Sequence, residues 1–179
     1  NDASGGCDGI IWKKASKAKI QRVHIYDMDG VLVDSSARYS TIKHPDGSES
    51  IDLPYWRARE HLAMQDKPGP MFAQYQRDIA DKNTFVIIAT ARTFNAQSWQ
   101  YLREVLGEPD FLIFRKDGDE QSGRTLKTSG LAKFFNLVSF KRAEFCVWED
   151  NHSYLQAITS KFKIRGDRKS TRLNSSHAN

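Results

Sequence analysis

The chain has 179 residues, of which 39% are hydrophobic and 27% are charged, as expected for one ordinary globular domain. Its longest apolar runs are too short to cross a bilayer, and its N-terminal stretch lacks the apolar core of a signal peptide, so we expect a cytoplasmic protein that does not contact membranes. Its two cysteines, Cys7 and Cys146, exclude a disulfide framework and a CxxC metal site.

Both ends of the chain are predicted to lie outside the folded domain. Residues 1–19 are rich in glycine and serine and then in lysine, which predicts a flexible basic lead-in. Residues 166–179 are polar, and most of them resemble a translated sequencing-library adapter, so we predict a non-native tail. Leaving out residues 167–179 removes three basic residues and one acidic residue, which lowers the formal charge from +5 to +3. This charge permits an anionic substrate but does not indicate a dedicated nucleic-acid binder.

Four short segments rich in β-branched and aromatic residues predict strands: VHIY (23–26), FVIIAT (85–90), DFLIF (110–114) and EFCVW (144–148). Apolar residues recur at helical spacing between or after them, in residues 69–82, 95–107 and 129–138. Strands that alternate with helices predict a mainly parallel sheet with helices on both faces. We therefore expect a Rossmannoid three-layer α/β sandwich over residues 20–165.

Residues 35–69 interrupt this alternation directly after the first strand. They contain the turn-rich run HPDGSES and then LPYWRAREHLAMQ, which predicts a short amphipathic helix. An insertion at this point lies over the carboxyl ends of the parallel strands, where open α/β sheets bind their ligands. We predict a small cap, with a plain surface excursion as the alternative.

Two aspartates, Asp27 and Asp29, follow the first predicted strand immediately, and Gly30 then permits a tight turn. Carboxylates crowded at one point repel each other unless a cation with a preference for oxygen ligands lies between them, and Mg²⁺ is the leading candidate. A helix-loop-helix calcium site requires a further acidic or amide residue before its glycine and a later glutamate, which the following apolar run VLV does not provide.

The stretch DMDGVLVDS resembles the first motif of the haloacid dehalogenase (HAD) superfamily, whose members are mostly magnesium-dependent phosphohydrolases. The later motifs of that family have counterparts in the same order. Thr90 ends the second strand, a lysine accompanies a helix, and the acidic pair Glu149 and Asp150 follows a further strand. The lysine is either Lys127, before the helical pattern, or Lys133, within it. We favour Lys127, whose ammonium can reach the site from the helix start.

The resemblance implies a mechanism. Asp27 attacks phosphorus to form an aspartyl-phosphate, and Asp29 protonates the leaving oxygen and then accepts a proton from water. Thr90 and Lys127 hold the phosphoryl oxygens, and an acid at position 29 favours phosphate over halide chemistry. The implied Mg²⁺ ligands are Asp27, the backbone carbonyl of Asp29, Asp150 and, less directly, Glu149.

The run PDFLIFRKDGDEQSGRTLK resembles the phosphatase domain of phage-type polynucleotide kinase-phosphatases, although the kinase motif GxxxxGK[ST] is missing. This resemblance implies nucleic-acid 3'-phosphate ends or nucleotides as substrates, in a phage-infected or bacterial cell. The candidate substrate-binding residues are Gly30, Ala91, Arg92, Arg115, Tyr55 and Trp56, with the arginines contacting phosphates and an aromatic ring stacking on a base. A small-metabolite phosphatase and a HAD-fold binding module without activity remain alternatives, and the oligomeric state stays open.

Overall fold

The computed structural model describes residues 9–11, 19–137 and 140–167, and every structural statement below refers to these residues. The strands are β1 (Gly9–Ile11), β2 (Arg22–Tyr26), β3 (Val33–Asp34), β4 (Thr41–Lys43), β5 (Glu49–Ile51), β6 (Lys67–Pro68), β7 (Thr84–Thr93), β8 (Phe111–Arg115), β9 (Glu144–Trp148) and β10 (Arg165–Asp167). The α-helices are α1 (Leu53–Ala58), α2 (Phe72–Ala80), α3 (Ala96–Tyr101), α4 (Gly123–Ala132) and α5 (His152–Phe162).

The main sheet has the strand order β1-β8-β7-β2-β9-β10, and only β1 runs antiparallel to its neighbour. The four predicted strands are β2, β7, β8 and β9. Because the chain leaves β2 for β7 and β8 on one side and returns to β9 on the other, the carboxyl end of β2 lies at the point where the strand order reverses. The predicted α/β sandwich with a mainly parallel sheet is confirmed.

Side chains that alternate along the central strands form a separate core on each face of the sheet. One core joins Tyr26, Val86 and Ile88 to apolar residues of α2 and α3, and the other joins residues of β2, β7 and β8 to α4 and α5. Members of the second core include Val23, Ile25, Ile87, Ile113, Leu126, Leu131 and Ile158. Burial on both faces explains why these strands are almost continuously apolar.

Two helix predictions need correction. The helix predicted over 129–138 begins at Gly123, and it gives way to a 3₁₀ helix at Lys133–Asn136. The Ser122 hydroxyl accepts a hydrogen bond from the Thr125 N–H (3.1 Å), so a serine cap starts the helix in a segment that reads as a polar turn. Lys127 therefore lies inside α4, and the expectation that it precedes the helix is wrong.

The amphipathic helix predicted in LPYWRAREHLAMQ is divided into α1 and a 3₁₀ helix at Glu60–Gln65. Arg59 separates the two, with φ −114° and ψ 10°, and α1 has no buried residue. The prediction failed because α1 has no apolar face packed against the core, so nothing favours one continuous amphipathic helix here. The helix predicted over 95–107 consists of α3 followed by a π-helical turn at Leu102–Leu106.

The inserted segment starts and ends at a short ladder. Strands β3 and β6 pair antiparallel, with Val33 opposite Pro68 and Asp34 opposite Lys67. Just beyond the ladder, Gly69 lies so close to the chain that an added Cβ would be 2.5 Å from the Val31 carbonyl oxygen. Between the two strands, β4 and β5 form a hairpin that precedes α1.

None of the helices in the described ranges combines the length and the apolar character that a bilayer crossing requires. Most of the predicted lead-in and residues 168–179 of the predicted tail lie outside the described residues. Strand β10 pairs parallel with β9 and extends two residues past the predicted domain boundary at 165. The domain limits themselves stay predictions.

Candidate active site

Three adjacent strands deliver acidic and polar side chains to one edge of the sheet. Asp27 follows β2, Thr90 lies near the end of β7, and Glu149 with Asp150 follows β9. The Asp27 N–H donates to the Trp148 carbonyl oxygen (2.8 Å), which extends the ladder one residue past β2 and fixes the start of the following turn. Open α/β sheets bind their ligands in the crevice outside the carboxyl ends of their parallel strands, where these side chains lie.

These side chains line a pocket of about 310 Å³, to which the inserted segment also contributes residues. This volume is at the lower end of those that bind small molecules. The pocket contains ten of the predicted site residues: Asp27, Asp29, Gly30, Trp56, Thr90, Ala91, Arg92, Lys127, Glu149 and Asp150. The inserted segment and the strand ends therefore contribute to the same pocket, and the role of the segment as a cap stays a prediction.

A buried lysine occupies the base of the pocket. Lys127 Nζ lies 3.0 Å from Asp27 Oδ1 and 2.5 Å from Glu149 Oε1, and its side chain is 1% exposed. Burial alone would lower the pKa of Lys127, but the charges of Asp27 and Glu149 outweigh burial and raise it. Burial and the charge of Asp27 raise the pKa of Glu149 well above its usual value, although Lys127 opposes the shift. Lys127 is thus a permanent cation between two carboxyl groups.

The second aspartate of the motif faces an arginine. Arg92 donates from Nε to Asp29 Oδ2 (3.1 Å) and from Nη2 to Asp29 Oδ1. The Ser35 hydroxyl also donates to Asp29 Oδ1 (2.8 Å). Burial favours a higher pKa for Asp29, but the charge and hydrogen bonds of Arg92 outweigh it, so the pKa lies below the ordinary value. Asp27 and Asp29 therefore have different environments despite being one residue apart.

Three carboxylates are arranged so that they can share a metal ion. Asp27, Glu149 and Asp150 are buried and each offers an oxygen within 4.8 Å of the others. Gly30, at φ +86°, lies against this group, and an added Cβ would be 2.3 Å from Asp150 Oδ2. Hard oxygen ligands at this spacing suit a divalent cation, and the described residues fit one.

Four apolar and aromatic side chains of the inserted segment also line the pocket and form what we call its aromatic wall: Tyr39, Ile51, Leu53 and Trp56. Trp56 lies 6.3 Å from Tyr39, measured between ring centroids, and the Arg38 guanidinium covers a Trp56 face at 4.3 Å. The pocket thus combines charged and aromatic side chains, as a molecule with one anionic and one flat apolar part requires.

Two predicted substrate contacts, Tyr55 and Arg115, are not among the residues that line the pocket. The Tyr55 ring instead lies 3.4 Å from the Arg59 guanidinium. Arg115 donates to the carbonyl oxygens of Ala91 (2.9 Å), Asp119 (2.9 Å) and Gln121 (2.6 Å). Arg115 therefore fastens the loop after β8 to β7, and it does not face the pocket.

Sequence reasoning missed several pocket residues. Asn151 caps α5, accepting from the Tyr154 N–H (3.1 Å), while its own N–H donates to Glu149 Oε2 (3.1 Å). Tyr154 lies 4.9 Å from Lys127 Nζ, measured to the ring centroid. An asparagine directly before an apolar helical run was a readable signal for the cap. The remaining missed residues, Ser35, Ser36, Tyr39, Ile51 and Leu53, had no signal of this kind.

The fold and the site together define an α/β protein with an acidic pocket, suited to a metal ion, at the carboxyl ends of its parallel strands and lined in part by the inserted segment. Residues 14–112 match the family described as Bacteriophage T5 5'-deoxynucleotidase, and the chain belongs to this family. The 5'-deoxynucleotidase of Escherichia phage T5 is 27% identical over 157 residues, which cover 79% of this chain. The alignment spans 64% of the length of that relative.

Proposed function

We propose that this protein is a magnesium-dependent phosphomonoesterase of the HAD type that hydrolyses deoxynucleoside 5'-monophosphates. The observation that carries the proposal is the contact between Asp27 and Lys127 beside two further buried carboxyl groups, at the base of a pocket. Membership in the 5'-deoxynucleotidase family supports the substrate class. Of the two substrate classes expected from the sequence, nucleic-acid 3'-phosphate ends and nucleotides, it favours a mononucleotide.

The charge of the pocket supports the need for a metal. The described lining residues include four carboxyl groups, those of Asp27, Asp29, Glu149 and Asp150, and two cationic side chains, Arg92 and Lys127, each already bonded to one of these carboxyl groups. A phosphate monoester dianion would meet repulsion in such a pocket unless a further cation were bound. Asp27, Asp150 and Glu149 would hold Mg²⁺, which polarises the phosphoryl oxygens when it is bound.

The side chains then have distinct tasks. Asp27 attacks phosphorus, forming a P–O bond to its carboxylate while the bond to the 5'-oxygen breaks, and Asp29 gives that oxygen a proton. Water next attacks the aspartyl-phosphate, Asp29 takes up its proton, and phosphate leaves with Asp27 restored. Arg92 keeps Asp29 ionised in the free pocket, so Asp29 takes up a proton from solvent as the negative phosphate binds, and this is the proton that it gives to the 5'-oxygen. Lys127 and Thr90 hold the transferring oxygens.

Trp56 and Tyr39 are positioned to receive the base. Both line the pocket that also contains the carboxyl groups, so the base of a nucleotide with its phosphate at Asp27 would contact this aromatic wall. Stacking of a base on an aromatic ring is insensitive to base identity, because every base has a π-face. The aromatic wall therefore supports a nucleotide rather than a sugar phosphate, and it predicts weak discrimination among bases.

Phosphate release from a panel of substrates tests the proposal. The panel contains deoxynucleoside 5'-monophosphates, a 3'-phosphorylated oligonucleotide and a sugar phosphate, each with Mg²⁺ and with excess chelator. We expect Mg²⁺-dependent release from the mononucleotides, and a loss of at least about a thousandfold in kcat for Asp27→Asn. Asp46→Asn, in the exposed hairpin turn outside the pocket, is the matched control.

Each part of the proposal has its own refuting result. Absence of release from every substrate, or full activity of Asp27→Asn, would show that the proposed chemistry is wrong. Preferential release from the 3'-phosphorylated oligonucleotide would leave the chemistry standing and overturn the substrate class. A steep fall of activity with salt would accompany that second result, because several phosphates would be gripped at once.

A further inference from the structure

A chain of ion pairs joins Asp29 to the inserted segment. Arg92 holds both carboxylate oxygens of Asp29, and its Nη2 also reaches Asp66 Oδ2 at 3.4 Å. Asp66 in turn accepts two hydrogen bonds from Arg38, Nε to Oδ1 at 2.7 Å and Nη2 to Oδ2 at 2.8 Å. Asp29 and Arg92 belong to the sheet edge, whereas Arg38 and Asp66 belong to the inserted segment.

Three of these four side chains are buried. The exposed fraction is 5% for Arg38, 2% for Asp66 and 4% for Arg92, against 31% for Asp29. The chain of ion pairs contains two cations and two carboxylates, so its net charge is zero. Asp29 and Arg92 both line the pocket, and the Asp29 side chain is the more exposed of the two.

The geometry at Asp29 is that of a fork. A guanidinium presents two parallel N–H groups to a carboxylate and so fixes its rotation as well as its position, whereas an ammonium acts as a point charge and leaves the rotation free. Arg92 is itself held, because Nη1 donates to the Ser98 hydroxyl at 3.3 Å at the start of α3. The orientation of the Asp29 carboxyl is thus fixed by Arg92, which Ser98 holds in place.

We propose that Arg92 is a positioning residue that orients the Asp29 carboxyl for proton transfer, and that Asp66 links this orientation to the seating of the inserted segment. The inference rests on the proposed function, in which Asp29 handles the proton of the leaving oxygen. It replaces the expectation that Arg92 binds the substrate phosphate directly. The inserted segment then has a second task besides forming the pocket wall, since its seating sets the geometry of the acid.

Leaving-group dependence separates positioning from a structural role. A deoxynucleotide must lose an alkoxide, which requires a proton, whereas 4-nitrophenyl phosphate loses a phenolate that is stable without one. For Arg92→Lys we expect kcat on the deoxynucleotide to fall by about tenfold to a hundredfold, with KM within about threefold of wild type, and kcat on 4-nitrophenyl phosphate to fall by less than about threefold. The ratio of kcat on the deoxynucleotide to kcat on 4-nitrophenyl phosphate does not depend on how much of the variant is folded.

Three further variants complete the test. Asp66→Asn should lower the same ratio, and Asp66→Glu, which retains a carboxylate, should restore part of it. Arg103→Lys, an exposed arginine of the π-helical turn outside the pocket, is the matched control and should leave the ratio unchanged. An equal loss on both substrates, or a ratio unchanged in Arg92→Lys, would overturn the inference. Wild-type inactivity on both substrates would instead overturn the proposed function.

Discussion

The substitution Gly30→Ala probes the contact between the aspartate motif and the acidic cluster. Its methyl group would be 2.3 Å from Asp150 Oδ2, whereas real contacts of this kind are not closer than 3.0 Å, so the carboxylate must move by at least 0.7 Å. Gly30 also has φ +86°, a region that costs an alanine about 1–2 kcal/mol. We therefore expect two separable effects, a loss of stability from the backbone and a loss of metal affinity from the displaced carboxylate.

The backbone effect has a matched control in Gly47→Ala. Gly47 has φ +88°, and an added Cβ there has nothing within 4 Å, so this variant carries the backbone cost without the contact. A loss of about 1–2 kcal/mol corresponds to about 2–8 °C in Tm for a chain of this size. Both variants should show this loss in the absence of metal.

The metal effect should appear only in Gly30→Ala. Displacement of a ligand typically weakens a metal site by about tenfold or more. At a Mg²⁺ concentration of about 100 times the wild-type Kd, binding stabilises the folded state by about 2.7 kcal/mol, and a tenfold weaker site reduces this to about 1.4 kcal/mol. The difference corresponds to about 3–5 °C in the Mg²⁺-induced rise of Tm.

Thermal unfolding with and without Mg²⁺, together with the Mg²⁺ concentration that gives half-maximal phosphate release, measures both effects. Gly30→Ala should need about tenfold more Mg²⁺ than Gly47→Ala. If the two variants show the same Mg²⁺-induced rise in Tm and the same Mg²⁺ requirement, the assignment of Asp150 to the metal site is refuted.

Two further predictions concern the buried lysine and the aromatic wall of the pocket. In denaturant titrations without Mg²⁺, Lys127→Met should lower the free energy of unfolding by about 3–5 kcal/mol, because Asp27 loses its buried cation, and with Mg²⁺ the loss should be clearly smaller. An equal loss in both conditions would contradict a metal beside Asp27. Trp56→Ala should raise KM for a deoxynucleotide about fivefold or more, whereas Tyr55→Ala, outside the pocket, should change it by less than about twofold in steady-state kinetics. Equal effects of the two aromatic substitutions would remove Trp56 from the base-binding wall.

The strands were predictable because burial on both faces of a parallel sheet leaves a strong apolar signal. The acidic residues were predictable for a related reason, since Asp27, Glu149 and Asp150 directly follow such strands, and the order of the strands brings their ends together. Here local sequence and global fold agree, so that a motif read along the chain becomes a cluster in space.

Other parts of the site could not be read from the sequence. Arg38 and Asp66 are 28 residues apart, and nothing local to either shows that the inserted segment folds back to pair them. Arg92 was predicted to bind phosphate because an arginine after the second motif was compatible with that role. Only the geometry shows that Arg92 donates hydrogen bonds to both carboxylate oxygens of Asp29. The start of α4 was missed because Ser122 and Gly123 are typical of turns as well as of helix caps.

The ladder between β3 and β6 has a consequence for how the substrate range of such a protein can change. It holds the two stems of the inserted segment at the spacing of paired strands, about 4.8 Å, whatever the chain does between them. Lengthening a segment closed in this way costs little, about 0.6 kcal/mol for each doubling of a flexible loop. Residues of the aromatic wall can therefore be exchanged within the inserted segment while the sheet and its acidic cluster stay unaltered. The ion pair between Arg38 and Asp66 limits this exchange. A replacement segment without it would remove the contact between Asp66 and Arg92, and so would disturb the proposed orientation of Asp29.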